Sequence, residues 1–265
     1  MKIGFIGTGN MASAIIDGLL TKGQPEIYVS GRNQEKVEKF AKVRQITACE
    51  DNLVLAETAD ILLLAVKPHV IAGVLKQIQP ALATRHPLVI SIAAGKTLAQ
   101  LEVDAGVANL PIIRVMPNVN AQVGAGVAAI VKNEVATEEQ LTQATKIFEA
   151  VGSVYPLEEK DFSTFIALAG SSPAFVYMFI DAMSRAGVKY GLPKALATEI
   201  ATQAVLGSAK MLNESNENPW ALVDKVSSPG GTTVAGVLAL EEAGFISDVV
   251  KGIEATIARD KEMSK

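Results

Sequence analysis

The chain has 265 residues, a formal net charge of −4, 49% hydrophobic residues and only 5% aromatic residues. That charge argues against nucleic acid as a partner, because phosphate binding needs a clustered basic excess. The single cysteine, Cys49, excludes an internal disulfide and favours a reducing compartment, so we expect a cytoplasmic protein.

The aliphatic content is high for a soluble monomer, so a membrane, an oligomer or a ligand cleft would have to absorb the excess. The stretch that comes closest to a membrane span is 164–180, with Gly170-Ser171-Ser172-Pro173 in its middle. A spanning helix needs about 20 predominantly apolar residues. This stretch therefore predicts two buried helices that meet at a break, and we expect no membrane association.

Short apolar runs alternate with amphipathic segments of helix length up to about residue 155, as in a parallel α/β sheet. The first five runs are almost continuously apolar, which is typical of strands covered on both faces. Two later runs flank a helix that begins at Thr137 with capping-box spacing, and we interpret them as edge strands. The predicted strands are 2–6, 26–30, 61–65, 88–92, 112–115, 126–131 and 152–156.

After residue 156, Ala-rich helical periodicity replaces the strand pattern. Glycine and proline separate the segments at Gly191-Leu192-Pro193, Asn218-Pro219 and Pro229-Gly230-Gly231. We predict an α/β domain over 1–156 and an all-α domain over 157–265 whose helices pack against another subunit. The predicted helices are 159–169, 173–190, 193–214, 232–243 and 246–262.

A glycine motif follows the first strand. Gly7, Gly9 and Ala12 match G-x-G-x-x-G/A, the fingerprint of a Rossmann-type dinucleotide site. The first glycine forms a tight turn, the second lets the backbone approach a pyrophosphate, and the helix beyond offers free N–H groups. The residues predicted here to bind the cofactor are Gly7, Thr8, Gly9, Asn10 and Met11.

The end of the second strand indicates NADP(H). An NAD site places Asp or Glu there to bind the ribose 2′-hydroxyl. This strand ends instead in Ser30-Gly31-Arg32-Asn33, whose polar groups suit a 2′-phosphate, unless the segment is only a polar turn with a solvated Arg32. We predict that Ser30 and Arg32 bind NADPH, with NADH as the alternative cofactor.

Later strand ends should line the same cleft, because open α/β sheets bind ligands at the carboxyl ends of their strands. Lys67 is either a solvated turn residue or a contact to the cofactor, and small residues around Ala94 leave room for a flat ring. Met116-Pro117-Asn118 ends a further strand and is a candidate for the same cleft. The predicted contacts are Ala65, Val66, Lys67, Pro68 and Ala94.

Groups for acid–base or metal chemistry are scarce. His69 and His86 are the only histidines and are predicted at the surface, and Cys49 has no basic neighbour to lower its pKa. No residues have metal-ligand spacing, so we predict no metal site.

A loop rich in donors opens a helix in the second half. Residues 227–233, Ser-Ser-Pro-Gly-Gly-Thr-Thr, combine hydroxyls with free N–H groups and suit a small carboxylate, although a helix cap beside a flexible turn would look similar. A loop of neutral donors fits a substrate that needs little acid–base help, such as a cyclic imine carrying a carboxylate.

Several motifs together resemble the pyrroline-5-carboxylate reductase family, and 222–241 is the most specific of them. The resemblance runs in order through the whole chain, in segments 4–11, 65–68, 91–95, 114–118, 169–175 and 222–241. It implies a Rossmann domain followed by a helical dimerisation domain. It also implies NAD(P)H-dependent reduction of 1-pyrroline-5-carboxylate to L-proline by a homodimer, often assembled into a decamer.

The resemblance implies roles for individual residues as well. Thr233 would be the catalytic residue, through a hydrogen bond to the ring nitrogen. Asn52 would contact the ribose phosphate on the adenine side, and Ser30 the 2′-phosphate. The residues implied to bind the substrate carboxylate are Ser228, Gly230, Gly231, Thr232 and Thr233.

The chain departs from the family pattern at two places. Val119-Asn120 replaces a more usual Thr-Pro, and we assign no catalytic role to Glu217 or Lys225, which depart from the family's pattern.

Two other functions stay open. A dehydrogenase of the β-hydroxyacid or 6-phosphogluconate type would need a lysine on the first long helix of the second domain, and a non-catalytic NADP(H)-binding regulator would not need the donor loop.

Overall fold

The computed structural model describes residues 1–23 and 25–263. Eight strands form one sheet in these residues. They are β1 (Lys2–Ile6), β2 (Glu26–Ser30), β3 (Thr47–Ala48), β4 (Ile61–Leu64), β5 (Leu88–Ser91), β6 (Ile112–Pro117), β7 (Gly126–Lys132) and β8 (Gly152–Pro156). Their order in the sheet is β3-β2-β1-β4-β5-β6-β7-β8.

Helices connect these strands and then make up the rest of the described chain. They are α1 (Asn10–Lys22), α2 (Gln34–Arg44), α3 (Asn52–Thr58), α4 (Ile71–Arg85), α5 (Leu98–Ala105), α6 (Glu138–Glu149), α7 (Phe162–Phe165), α8 (Ser172–Lys189), α9 (Lys194–Glu214), α10 (Pro219–Val226), α11 (Thr232–Glu242) and α12 (Phe245–Met263). Short 3₁₀ turns lie at Pro68–Val70, Val119–Val123 and Glu159–Asp161, and a π-helical turn lies at Ile166–Ser171.

The strands β1 to β6 are parallel, and β1, β4, β5 and β6 are buried on both faces. Successive residues of β4 alternate between two apolar clusters, with Ile61 and Leu63 in one and Leu62 and Leu64 in the other. The first cluster includes residues of α1 and α6, and the second includes residues of α3, α4 and α5. This double coverage explains why the strands are almost continuously apolar in sequence.

The far side of the sheet differs from the prediction in two respects. β7 pairs antiparallel with β6 and lies between β6 and β8, so of the two late strands β8 alone lies at an edge of the sheet. The prediction that both late strands lie at an edge is therefore wrong for β7. Strand β3 and helix α10 were not predicted, because two residues of strand and a short helix leave little periodic signal.

The chain divides into two compact units. The first contains Met1–Gly170 and the end of the chain from Ile257, and the second contains Ser171–Thr256. The strands end at Pro156, where the sequence predicts a domain boundary, and the compact units divide at a different point. Fold class is confirmed: a Rossmann-type parallel sheet with helices precedes an all-helical region.

The apolar segment around residue 170 is continuous helix. The π-helical turn Ile166–Ser171 joins α7 to α8, so the predicted break between two helices is wrong. Pro173 has no N–H and cannot bond to the carbonyl of Ala169 in the way an α-helical residue would. Asn118 Nδ2 donates to that carbonyl instead, at 2.9 Å.

This continuous helix also bears on the membrane question. Among the described residues, Glu159–Lys189 is the one helix that is long and apolar enough to cross a membrane, with 31 residues. A single helix of this kind is weak evidence, since a core helix of a soluble protein passes the same test.

Candidate active site

The glycine turn after β1 brings three strand ends together. Gly7 has φ +107°, and a Cβ there would lie 2.5 Å from the carbonyl oxygen of Ala65. Only glycine fits both conditions. The Gly7 N–H donates to the Ser30 carbonyl at 2.9 Å, and the Ala65 N–H donates to the Ile6 carbonyl at 2.9 Å. The carboxyl ends of β1, β2 and β4 therefore meet at this turn.

The start of α1 has open space in front of free donors. Gly9 precedes the helix, no side chain caps it, and its first turn contains no acidic residue. A Cβ at Gly9 would meet no atom within 4 Å, so the backbone is open to a ligand. Because N–H groups of a first helical turn have no acceptor within the helix, this end can bind an anion. The residues present therefore fit a dinucleotide pyrophosphate.

The end of β2 contains a chain of polar side chains. Ser30 is fully buried, and its Oγ donates to Asn52 Oδ1 at 2.7 Å. Asn52 Nδ2 then donates to Gln77 Oε1 on α4 at 2.8 Å. Arg32 is exposed, while the Asn33 side chain caps α2 by accepting the Lys36 N–H at 2.9 Å. Ser30 and Asn52 are thus brought together, but the Ser30 hydroxyl faces Asn52 and not solvent.

The ends of β4 and β5 provide a less polar border. Lys67 is exposed and extended, and Pro68 begins the 3₁₀ turn that leads into α4. Ala65 and Val66 are half-buried. After β5, Ala94 is exposed and Gly95 has φ +75° with open space around it. β4 pairs with β1 and β5 pairs with β4, all in parallel, so the segments after β4 and β5 lie at the same edge of the sheet as the glycine turn.

Asn118 has a structural task. It is 4% exposed, its Oδ1 accepts the Val127 N–H at 3.0 Å, and its Nδ2 is bound to the π-helical turn. Both ends of its amide are therefore occupied, and its side chain does not line a cleft as the sequence suggested. Arg114 is likewise buried and pairs with Glu159 at 2.8 Å.

The structure places the cysteine in the core and both histidines at the surface. Cys49 is 6% exposed, and burial first, then the nearby Asp51 charge, raises the pKa of its thiol. A raised pKa keeps the thiol protonated and unreactive at neutral pH. His69 and His86 are exposed, as predicted. Within the described ranges, no group of three His, Cys, Asp or Glu side chains could hold a metal ion.

The donor loop of the second unit is a tight turn followed by a helix. The Gly231 N–H donates to the Ser228 carbonyl at 2.9 Å, and Gly230 has φ +68°. Pro229 and Gly230 are the two central residues of this turn. Proline at the first of these positions, a positive φ at the second and the closing hydrogen bond are typical of a type II turn. Helix α11 then begins at Thr232 with no side-chain cap and no acidic residue in its first turn. Thr232 and Thr233 are exposed.

Two details of this loop modify the expected donor set. The Gly231 N–H is used within the turn, so Gly231 contributes through its conformation and not as a free donor. Ser227 Oγ is inaccessible to solvent and has no hydrogen-bond partner in the described part of the chain. Glu217, two residues before α10, forms an ion pair with Lys225 in the last turn of that helix.

Comparison with known proteins identifies the family. Residues 159–263 match the family model described as pyrroline-5-carboxylate reductase dimerisation, and 2–95 match the one described as NADP oxidoreductase coenzyme F420-dependent. The pyrroline-5-carboxylate reductase of Escherichia coli strain K12 is 42% identical over 267 residues, covering 100% of this chain and 98% of that protein. The chain belongs to the pyrroline-5-carboxylate reductase family.

Solved structures of the family agree over the same length. A pyrroline-5-carboxylate reductase from Coxiella burnetii is 35% identical with a TM-score of 0.95, covering 99% of this chain and 98% of that one. The Plasmodium falciparum enzyme, solved with NADP bound, is 31% identical with a TM-score of 0.86, covering 100% and 98%. The family, fold class and enzyme class predicted from the sequence are confirmed.

Sequence reasoning missed two side-chain contacts, those of Gln77 and Asn118. Gln77 lies on the exposed side of α4 in no motif, and its contact with Asn52 spans 25 residues of sequence. Asn118 lies in a motif, but its partner Ala169 is 51 residues away. No local pattern could have indicated either contact. The roles of the predicted cofactor and substrate residues stay predictions.

Proposed function

We propose that this chain reduces 1-pyrroline-5-carboxylate to L-proline with NADPH as the preferred cofactor. The observation that carries the proposal is the type II turn Ser228–Gly231 directly before the uncapped start of α11, in a member of this family. The turn leaves first-turn N–H groups and hydroxyls available together, which suits a small carboxylate.

The donor loop would bind and orient the substrate. The N–H groups of Thr232 and Thr233 are in the first turn of α11, where they have no acceptor within the helix. Together with the Ser228 hydroxyl and the Gly230 backbone, they would hold the carboxylate, while Gly231 keeps the turn in shape. The Thr233 hydroxyl would accept a hydrogen bond from the protonated ring nitrogen and so fix the imine.

The α/β unit would hold the cofactor. Residues 7–11 would bind the pyrophosphate. The adenosine ribose would be bound by Ser30, Arg32 and Asn52. The remainder of the cofactor would be bound by residues 65–68 and Ala94. NADPH supplies the hydride when bound. The absence of a carboxylate at the end of β2, together with exposed Arg32, supports NADPH over NADH. A protonated imine is already electrophilic, so the scarcity of acid–base groups is consistent with this reaction.

The second unit would form the subunit interface. Over 171–256 only Pro173, Ser184, Ala197 and Ala201 are buried, while large apolar side chains such as Leu206 and Phe179 are exposed. Apolar exposure on this scale marks an interaction surface. We therefore propose a homodimer. The family resemblance extends this proposal to a decamer, and the single cysteine to a cytoplasmic location.

One assay separates this function from its alternatives. Oxidation of NADPH and NADH is followed with pyrroline-5-carboxylate, and the reverse reaction is followed with a 3-hydroxyacid. We expect imine-dependent turnover with preference for NADPH. Turnover of the hydroxyacid alone would support a dehydrogenase instead, although α8 has no lysine before its last residue, Lys189. Light scattering of the purified protein tests the assembly, and an active monomer would contradict it.

A further inference from the structure

We propose that Gln77 is a positioning residue for Asn52, which is assigned above to the adenosine ribose: by accepting one Nδ2 proton, Gln77 directs the other toward the ribose 2′-phosphate of the cofactor. The inference rests on the proposed use of NADPH. It follows from the hydrogen bonds at the end of β2, where a Rossmann-type site recognises the adenosine ribose. Ser30 is the last residue of β2, and its carbonyl accepts the N–H of Gly7 in the glycine turn.

The available protons decide which side chain can serve a phosphate. Phosphate oxygens only accept hydrogen bonds, so they need a donor. Ser30 has a single hydroxyl proton, which it donates to Asn52 Oδ1 at 2.7 Å, and its side chain is fully buried. Asn52 has two Nδ2 protons and donates one of them to Gln77. The second proton of half-buried Asn52 therefore remains as the donor nearest to Ser30 in this chain of hydrogen bonds, because the Ser30 proton is already used.

Gln77 fixes the direction in which the Asn52 amide points. A carboxamide rotated by 180° would turn its oxygen toward Gln77 Oε1 and its NH₂ toward the Ser30 hydroxyl. In the observed arrangement, Ser30 donates to Oδ1 and Gln77 Oε1 accepts from Nδ2 at 2.8 Å, so both ends of the amide are matched. Removing the Gln77 acceptor would leave only the Ser30 bond to hold Asn52. The donor would then lose its defined direction.

Isothermal titration calorimetry with two cofactor fragments tests the idea on the full chain. 2′,5′-ADP is 5′-AMP with an added 2′-phosphate, so the two fragments 2′,5′-ADP and 5′-AMP differ in that group alone. The variants are Gln77→Leu, Asn52→Ala and the double variant. Gln79→Leu is a matched control, because Gln79 is on the same helix but donates to the Gly106 carbonyl at 3.1 Å. Thermal unfolding of each variant verifies that it is folded.

We expect wild type to bind 2′,5′-ADP more tightly than 5′-AMP. Gln77→Leu should weaken the binding of 2′,5′-ADP by about three- to ten-fold, the usual effect of one hydrogen bond, and that of 5′-AMP by less than about two-fold. In the Asn52→Ala background the same change should have no further effect, because Gln77 acts through Asn52. KM for NADPH should rise with kcat unchanged, and Gln79→Leu should bind both fragments like wild type.

Other outcomes would overturn the proposal. Additive losses in the double variant would mean that Gln77 acts independently of Asn52. Equal losses for both fragments would remove the link to the 2′-phosphate, and a Gln77→Leu variant that matches Gln79→Leu would remove the role altogether. These fragments bind without imine substrate. Lack of turnover with pyrroline-5-carboxylate would therefore overturn the proposed function, whereas the affinities measured for the two nucleotide fragments would still test the role of Gln77.

Discussion

Replacing Asn118 by alanine should destabilise the protein strongly, although the substitution leaves the solvent-exposed surface almost unchanged. The side chain is 4% exposed and satisfies two backbone groups, the Val127 N–H at 3.0 Å and the Ala169 carbonyl at 2.9 Å. The carbonyl has no α-helical alternative, because Pro173 lacks the N–H that would bind it. A buried polar group left without a partner costs about 1–3 kcal/mol. Two such groups predict a loss of roughly 2–6 kcal/mol in the free energy of unfolding.

Urea denaturation at fixed protein concentration measures this loss, with Gln122→Ala as a matched control. Gln122 is exposed and lies in the 3₁₀ turn directly after Asn118, so its substitution should change stability by less than about 0.5 kcal/mol. Asn118→Asp keeps the acceptor for Val127 but sets a carboxylate against the Ala169 carbonyl, and it should destabilise as well. If Asn118→Ala unfolded within about 1 kcal/mol of Gln122→Ala, the proposed anchoring of the π-helical turn would be refuted.

Three further predictions follow from the site. Gly9→Ala should leave thermal stability unchanged but weaken NADPH binding in a titration. Gly7→Ala should instead lower the free energy of unfolding by more than about 2 kcal/mol, because Gly7 has a positive φ and its new Cβ would lie 2.5 Å from the Ala65 carbonyl oxygen. Equal behaviour of the two variants would contradict this reasoning. Thr233→Ala should lower kcat by about ten-fold or more with NADPH affinity unchanged, and a parallel loss of both would indicate a structural role. Cys49 should react with iodoacetamide at neutral pH far more slowly in the folded protein than in urea, because burial raises its pKa and keeps it protonated; equal rates would show an accessible thiolate.

The glycine turn after β1 was predictable from the sequence because its signals are local. Gly7 is required by its backbone conformation, and Gly9 leaves open space in front of the helix. Their spacing in the sequence is sufficient to indicate both positions. The same holds for Ser228 to Gly231, where Pro-Gly-Gly specifies the turn type. Contacts such as Asn52 with Gln77 depend on which helix face meets which strand end, and a single sequence contains no local record of that.

Strand direction and helix continuity were the other limits. The apolar pattern of β7 is the same whichever way the strand runs, so its antiparallel pairing with β6 could not be inferred. The segment Gly170-Ser171-Ser172-Pro173 has the composition of a helix break. It remains helical because a wider π-helical turn accommodates Pro173 and because Asn118 satisfies the Ala169 carbonyl.

The side chains of β6 alternate between the two faces of the sheet. This alternation explains why the motif 114–118, which suggested a ligand cleft, stabilises the fold instead. Ile113 and Val115 point into an apolar cluster shared with α1 and α6. Arg114 and Met116 lie on the other face, where Met116 packs with Phe162 and Phe165.

On that same face, Arg114 stacks 4.4 Å from the Phe162 ring and pairs with Glu159, whose carboxylate also accepts the Leu98 N–H at 2.8 Å. Asn118 secures the other end of the segment at Ala169. The last part of the α/β unit, 159–170, is thus attached to β6 at both ends. Mutations in this motif should therefore affect stability before they affect cofactor binding, and NADPH titration of Asn118→Ala below its unfolding midpoint would distinguish the two.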